Sequence, residues 1–331
     1  MRALISVSEG TRTPVGRFWH HRRMARTPRL TRLGALVLAL LAAAGLTAGC
    51  DTTFPGTSLR IATGVPTGVY SKLGGALATA WEGQLDLAPS DVKFTNGSGE
   101  NVQLLLDGEV DVAFSAADVA TEPRVGEHGV LALARIYDDY LHVVVRSDGP
   151  IHSLGELAGK RVSVGTRDSG TSVIAKRVLK VTGLPTQITE YNLDESMARL
   201  QRGEVDAFFW SGGLPTGGIT AAGDSVRLVD LAEELPAIRE QFPIYNASSV
   251  PAAVYGSETA VTTLAVPNFL LVSDLMSDDV AEALVSGMFA ARGELVRANR
   301  AAQAIDVLPG IETDPVPLHP GAVRYYREAD I

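Results

Sequence analysis

From position 59 onward, short apolar runs alternate with stretches of helical period, and the whole alternation occurs twice. The first series predicts strand 59–62, helix 73–81, strand 92–95, helix 100–106 and strand 110–115. In the second of these helices Val102, Leu105 and Leu106 fall at i, i+3 and i+4, a single apolar stripe. The second series predicts strand 161–165, helix 173–181, strand 187–191, helix 193–201 and strands 205–210 and 226–229. Strands alternating with helices point to an α/β fold of mainly parallel sheets flanked by helices.

The two series share marks. Gly108-Glu109-Val110-Asp111 returns as Gly203-Glu204-Val205-Asp206, 95 residues later, and the Gly64 bend has a counterpart at Gly165, 101 residues on. Two similar units therefore lie in tandem, the outline of two lobes facing a cleft. Each tetrapeptide falls where a Gly ends a helix and an Asp opens the next strand, opposite the bends, so it marks register and not chemistry.

Two more apolar strands fit neither unit, 141–146 and 264–272, and they are assigned as hinge strands crossing between lobes. Pro267 in the second requires an irregular strand there. Val280, Ala281, Leu284, Val285, Met288 and Phe289 mark an amphipathic helix, expected to return to the first lobe. Ser153 and Glu156 have capping-box spacing and open a short helix. The expected division is lobe 1 at 59–140 with 266–331, and lobe 2 at 147–260. The Pro/Gly-containing stretch 309–320 is expected to be irregular surface.

Residues 1–32 carry eight Arg and one Glu, and 33–49 is uncharged and ends Leu46-Thr47-Ala48-Gly49-Cys50. A basic segment, a short apolar segment and small residues make an export signal at 1–49, too short for a comfortable membrane span. The ending resembles the lipobox of bacterial lipoproteins, which implies that Cys50 is acylated and becomes the N-terminus, with 50–58 as a tether. Cys50 is the sole cysteine, so no intrachain disulfide can form. Removing 1–49 leaves 21 basic against 37 acidic side chains, a net charge near −16, which argues against a nucleic-acid partner.

Ligands of open α/β sheets gather at the carboxyl ends of strands, where helix N-termini present unpaired N–H groups. Loops 63–70, 96–101 and 166–172 fit, each with Gly for close backbone approach and hydroxyl or amide side chains to orient a carboxylate. The same residues also serve as ordinary helix caps, and it is the matching placement of three such loops that favours a ligand. Trp210-Ser211-Gly212-Gly213-Leu214-Pro215 offers a fourth wall. Gly64-Val65-Pro66-Thr67-Gly68 lacks the Lys of a P-loop and the spacing of a dinucleotide fold. His128, His142, His152 and His319 are too scattered for a metal site, and His142 reads as a hydrogen-bonded strand residue. No nucleophile elbow is present. No metal, cofactor or catalytic residue is therefore assigned.

Together these segments resemble the TAXI-type (TRAP-associated extracytoplasmic) solute-binding proteins of TRAP transporters. The likeness rests on Ile61-Ala62-Thr63-Gly64 with Gly68-Val69-Tyr70, Asn96-Gly97-Ser98-Gly99-Glu100-Asn101, Ile136-Tyr137, Ser169-Gly170-Thr171 and Val205-Asp206-Ala207-Phe208-Phe209, and it covers most of 59–290. It implies a two-lobed fold of the type II periplasmic-binding-protein kind. It also implies a monomer, outside the cytoplasm and lipid-anchored to the membrane, that delivers a small organic anion, a carboxylate or an amino acid such as glutamate, to a membrane permease. Carried onto this chain, the implied ligand residues are Thr63, Gly64, Thr67, Tyr70, Asn96, Ser98 and Asn101, with Ser169, Gly170 and Thr171 from the second unit. Ser115, Tyr137 and Trp210 complete the set. Ser71 stands where the family often has a second aromatic, and Ala116 or Ala117 where it often has a Gln, implying a differently shaped pocket. Two other classes use the same cleft: a lipid-anchored sensor reporting to a membrane kinase, and an enzyme, for which only Asp118 and Glu100 lie near the cleft.

Overall fold

The first two strands of the first unit each lead into a glycine-bearing loop, at Gly64 and at Gly97, and those loops fix where the site lies. A computed structural model describes residues 53–126 and 128–329; the export segment, Cys50 and the start of the tether lie outside them. In the first unit β1 (Arg60–Ala62), α1 (Val69–Leu85), β2 (Asp91–Lys93), α2 (Ser98–Leu106) and β3 (Val112–Ala116) follow one another. The long β4 (Val130–Arg146) comes next. The second unit repeats the order as β5 (Arg161–Ser163), α3 (Gly170–Thr182), β6 (Gln187–Thr189), α4 (Leu193–Gln201) and β7 (Ala207–Gly212). β8 (Val226–Leu228), β9 (Asn246–Val250), β10 (Val261–Ser273), α5 (Asp278–Ala290) and α6 (Pro320–Glu328) complete the elements used below.

The strand order β2-β1-β3-β10-β4-β7-β5-β6 reads the same from either edge: a parallel triplet, then an antiparallel long strand. β4 and β10 pair with each other along the middle. β4 therefore serves both units, joining β10 through Tyr140 and β7 from Tyr140 to Val145. It starts at Val130, eleven residues before the predicted crossing, because Arg135, Asp138 and Asp139 interrupt its apolar run. Pro267 lies within β10, paired only with Asp138 of β4. On its other side β9 has ended at Ala265 and β3 begins only at Asn268, so Pro267 occupies what is locally an edge. The register slips just beyond it, between Asn268 and Phe269.

The repeated tetrapeptides superpose in their bonding. Gly108 and Gly203 take left-handed φ of 68° and 70°, ending α2 and α4. Asp111 accepts the Arg60 backbone N–H at 2.8 Å and its guanidinium at 2.7 Å; Asp206 does the same for Arg161 at 2.8 and 2.7 Å.

The C-terminal helix α5 packs on α1 of the first unit. Trp81 of α1 is fully buried and its indole N–H donates to Leu284 O of α5 at 3.0 Å. The stretch 309–320 is irregular, with exposed positions between a few buried anchors. It is anchored to the sheet, with Leu318 bridged to Ala132, the His319 N–H donating to Ala132 O at 2.9 Å, and Thr313, Val316 and His319 buried. Its prolines removed helix and strand periodicity from the sequence, and with it any sign of these anchors.

Candidate functional site

Three helices begin at one cavity of about 250 Å³. α1 starts after Gly68 and α2 after Gly97, glycine N-caps whose first-turn N–H groups receive no side-chain acceptor. α3 starts after Ser169, whose hydroxyl accepts only the Ser172 N–H, at 3.1 Å. The starts of α2 and α3 meet across the cleft. A Cβ on Gly99 would lie 1.8 Å from Asp168 O, and one on Gly170 3.1 Å from Ser98 Oγ, so glycine is what lets the two units approach this closely. Gly165 has φ +81° and packs its backbone on Thr171 and Ser169.

Of the sequence-predicted residues, Gly64, Thr67, Tyr70, Asn96, Ser98, Tyr137, Ser169, Gly170, Thr171 and Trp210 line the cavity. Thr63, Asn101 and Ser115 do not. They are fully buried beneath it and bonded to backbone: Thr63 Oγ1 donates to Lys93 O at 2.7 Å, Asn101 Nδ2 donates to Phe114 O at 2.8 Å and to Thr63 O, and Ser115 Oγ donates to Ala116 O at 3.1 Å. Asn101 thus ties β1 to the end of β3 and holds the loop before α2 in place. Ser71, at the position of the absent second aromatic, donates to Gly64 O at 2.8 Å and Val65 O at 2.6 Å and braces the first bend.

The floor is aromatic. The Tyr70 hydroxyl lies 3.3 Å from Ser98 Oγ and donates to Asn268 Oδ1, and its ring meets Tyr137 edge-on with centroids 6.2 Å apart. Burial pushes both phenols well above their ordinary value, so they act as neutral donors.

The far wall is a bonded chain. Trp210 Nε1 donates to Thr216 Oγ1 at 3.1 Å, and the Thr216 N–H donates to Tyr255 Oη at 2.8 Å. His142 Nε2 lies 3.0 Å from that Oη, and Nδ1 lies 3.3 Å from Trp210 O. Burial lowers His142 to about 4, so it is neutral, and the hydroxyl donating to Nε2 leaves Nδ1 to donate to the carbonyl. This matches the hydrogen-bonded strand role expected for His142. Thr171 Oγ1 accepts the Ser211 N–H at 3.1 Å, joining α3 to the same wall.

Sequence reasoning missed several lining residues, among them Asn192, Thr216, Asn299 and Asp139, whereas Ser211 lies in the segment expected to form the fourth wall. Asn192 caps α4, accepting the Glu195 N–H at 2.9 Å, a signal shared with any helix start. Asp139 had a readable signal, an acid two residues from Tyr137 within a predominantly apolar strand. It is 6% exposed, and burial pushes its carboxyl up to about 7, with neighbouring Asn268 and Tyr137 pulling the other way. Neither Asp139 Oδ1 nor Asn268 Nδ2 makes a hydrogen bond of normal geometry among the described residues.

The two acids nearest an enzymatic reading lie elsewhere. Asp118 is buried outside the cavity against Tyr245 and Arg177, and Glu100 accepts the Asn96 backbone and side-chain N–H groups at 2.8 Å each.

Solved structures share this architecture. One described as a periplasmic transporter aligns with a TM-score of 0.51 at 14% identity, covering 84% of this chain and 94% of that one. An ancestral arginine-binding protein bound to arginine aligns at 0.50 and 15%, covering 75% and 98%. The periplasmic aliphatic sulphonate binding protein SsuA from Escherichia coli aligns at 0.44 and 15%, covering 82% and 83%. At such identities the likeness is one of fold, the two-lobed α/β fold of type II periplasmic binding proteins. Residues 61–329 match the NMT1-like family, and the chain belongs to that family.

Proposed function

We propose that the protein is the extracytoplasmic solute-binding component of a TAXI-type TRAP transporter, held to the membrane by lipid on Cys50. It captures a small organic anion in the cavity and delivers it to a membrane permease. The observation that carries this reading is the convergence of the α1, α2 and α3 N-termini on one cavity, two of them behind glycine N-caps with no side-chain acceptor. Their N–H groups and partial positive charge suit a carboxylate, and hydroxyls of Ser98, Ser169, Thr171 and Tyr70 surround it. The chain's net negative charge does not oppose this, since surface charge is screened over about 10 Å while helix termini act locally.

Binding is a population shift. The lobes, 59–140 with 266–331 and 147–260, close about the strand segments 141–146 and 264–272, and the ligand stabilises the closed form through contacts available only there. The contact of Gly99 with Asp168 is the closed arrangement in this reading. Transport into proteoliposomes holding a TRAP-type permease tests the role: uptake that depends on the added binding protein supports it. A ligand that binds without ever promoting uptake favours a sensor instead.

A further inference from the structure

The cavity wall carries a buried acid with no cation to answer it. Asp139 lies on β4 two residues from Tyr137, so both side chains leave the same face of the strand. Its Oδ1 has no hydrogen-bond partner among the described residues. The other charged residue lining the cavity, Lys72, is exposed. A buried carboxylate left in this state is costly, and chains keep one where a bound group repairs it.

Resting on the reading of the cavity as an organic-acid site, we propose that Asp139 is the ammonium-binding residue and that the ligand is an amino acid. Its carboxylate meets the helix N-termini, and its protonated amine meets Asp139. The amine brings three N–H donors, and the acceptors waiting for them are the Asp139 carboxylate and Ser211 Oγ, also buried, partnerless and on the cavity wall. Tyr70 and Tyr137 line the same cavity as these acceptors, and an aromatic ring favours a cation over its face. An acid without an amine places negative charge near Asp139 in a water-poor site and is disfavoured wherever Asp139 is ionised.

The experiment is calorimetric titration of the purified protein at pH 8 with matched pairs: L-glutamate against 2-oxoglutarate, L-leucine against 4-methyl-2-oxopentanoate, and L-alanine against pyruvate. The expected result is that at least one amino acid binds about tenfold or more tighter than its 2-oxo partner, about 1.4 kcal/mol, and that Asp139→Asn removes the difference. A 2-oxo acid binding as well as its amino acid in every responsive pair overturns the proposal and leaves the carboxylate site standing. So does an amine preference that survives in a folded Asp139→Asn protein. Silence from every member of both series overturns the amino-acid ligand and the organic-acid reading together. The wild-type pairs decide the question even where the variant does not fold.

Discussion

Tyr245 donates its hydroxyl hydrogen to Asp118 Oδ2 at 2.7 Å, and that bond holds a carboxylate only 1% exposed. Burial pushes Asp118 up to about 6, while Tyr245 and Arg177, 3.7 Å away, pull it down. Tyr245→Phe should therefore cost roughly 1–3 kcal/mol at pH 7.5, because it removes a donor from a buried ionised group. The cost should shrink near pH 5, where the acid is mostly protonated. Urea unfolding at the two pH values measures it, and an equal cost at both would remove the assigned role of the hydroxyl.

The Asp139 carboxyl gives the unliganded protein a pH signature. The groups facing it are the Tyr70 and Tyr137 phenols, the Asn268 amide and the charges of Asp118 and Asp138. Its folded value of about 7 exceeds the ordinary carboxyl value of 3.8, so the folded chain holds more protons than the unfolded one between these limits. Its contribution to stability therefore falls as pH rises from about 4 to about 7. His142, lowered to about 4, acts with the opposite sign between 4 and 6.5 and cancels in a comparison of variants. Asp139→Asn should thus gain stability relative to the parent by roughly 1–4 kcal/mol between pH 5 and pH 8. A pH-independent difference would contradict the buried placement of a carboxyl whose Oδ1 is unbonded.

A bound amine reverses that titration. It favours the ionised carboxylate, so an amino acid binding at pH 7 should release a fraction of a proton, and its affinity should rise toward pH 8. Titrations in two buffers of different ionisation enthalpy count the proton, and Asp139→Asn should release none.

The far wall depends on Tyr255, which accepts the Thr216 N–H and donates to His142. Tyr255→Phe leaves both groups unpaired and should cost roughly 1–3 kcal/mol in unfolding free energy. It should also weaken ligand binding, because Trp210 and Thr216 lose their support. Unchanged affinity would mean that this wall does not touch the ligand.

What the sequence disclosed follows from what local pattern can carry. The tandem units were legible because Gly108 and Gly203 must adopt left-handed backbone, and Asp111 and Asp206 must pair with the arginines that open β1 and β5. Helix α4 was readable to the residue, since an amphipathic stripe behind an Asn cap leaves little freedom. The first half of β4 was not, because Arg135, Asp138 and Asp139 interrupt its apolar run, and pairing with β10 is what makes them strand. Asp139 was lost with that half. Thr63, Asn101 and Ser115 were misplaced for a related reason: a polar residue beside a cavity looks the same in sequence whether it points in or braces the backbone below. The points at which the 309–320 segment is pinned to the sheet, Leu318 and His319 against Ala132, are long-range and invisible to periodicity.

The central claim is that the meeting point of α1, α2 and α3 binds a small organic acid, and a thermal-shift screen of mono- and dicarboxylates and amino acids tests it most directly. A ligand at about a hundred times its dissociation constant adds about 2.7 kcal/mol, which is roughly 5 °C in melting temperature for a chain of this size. The account predicts such a rise for at least one compound. It also predicts loss of that rise in Thr171→Leu, a variant that loses the bond to the Ser211 N–H at a cost of roughly 1–3 kcal/mol, each protein's rise being taken from its own unliganded state. No rise with any compound, or an undiminished rise in Thr171→Leu, would contradict it.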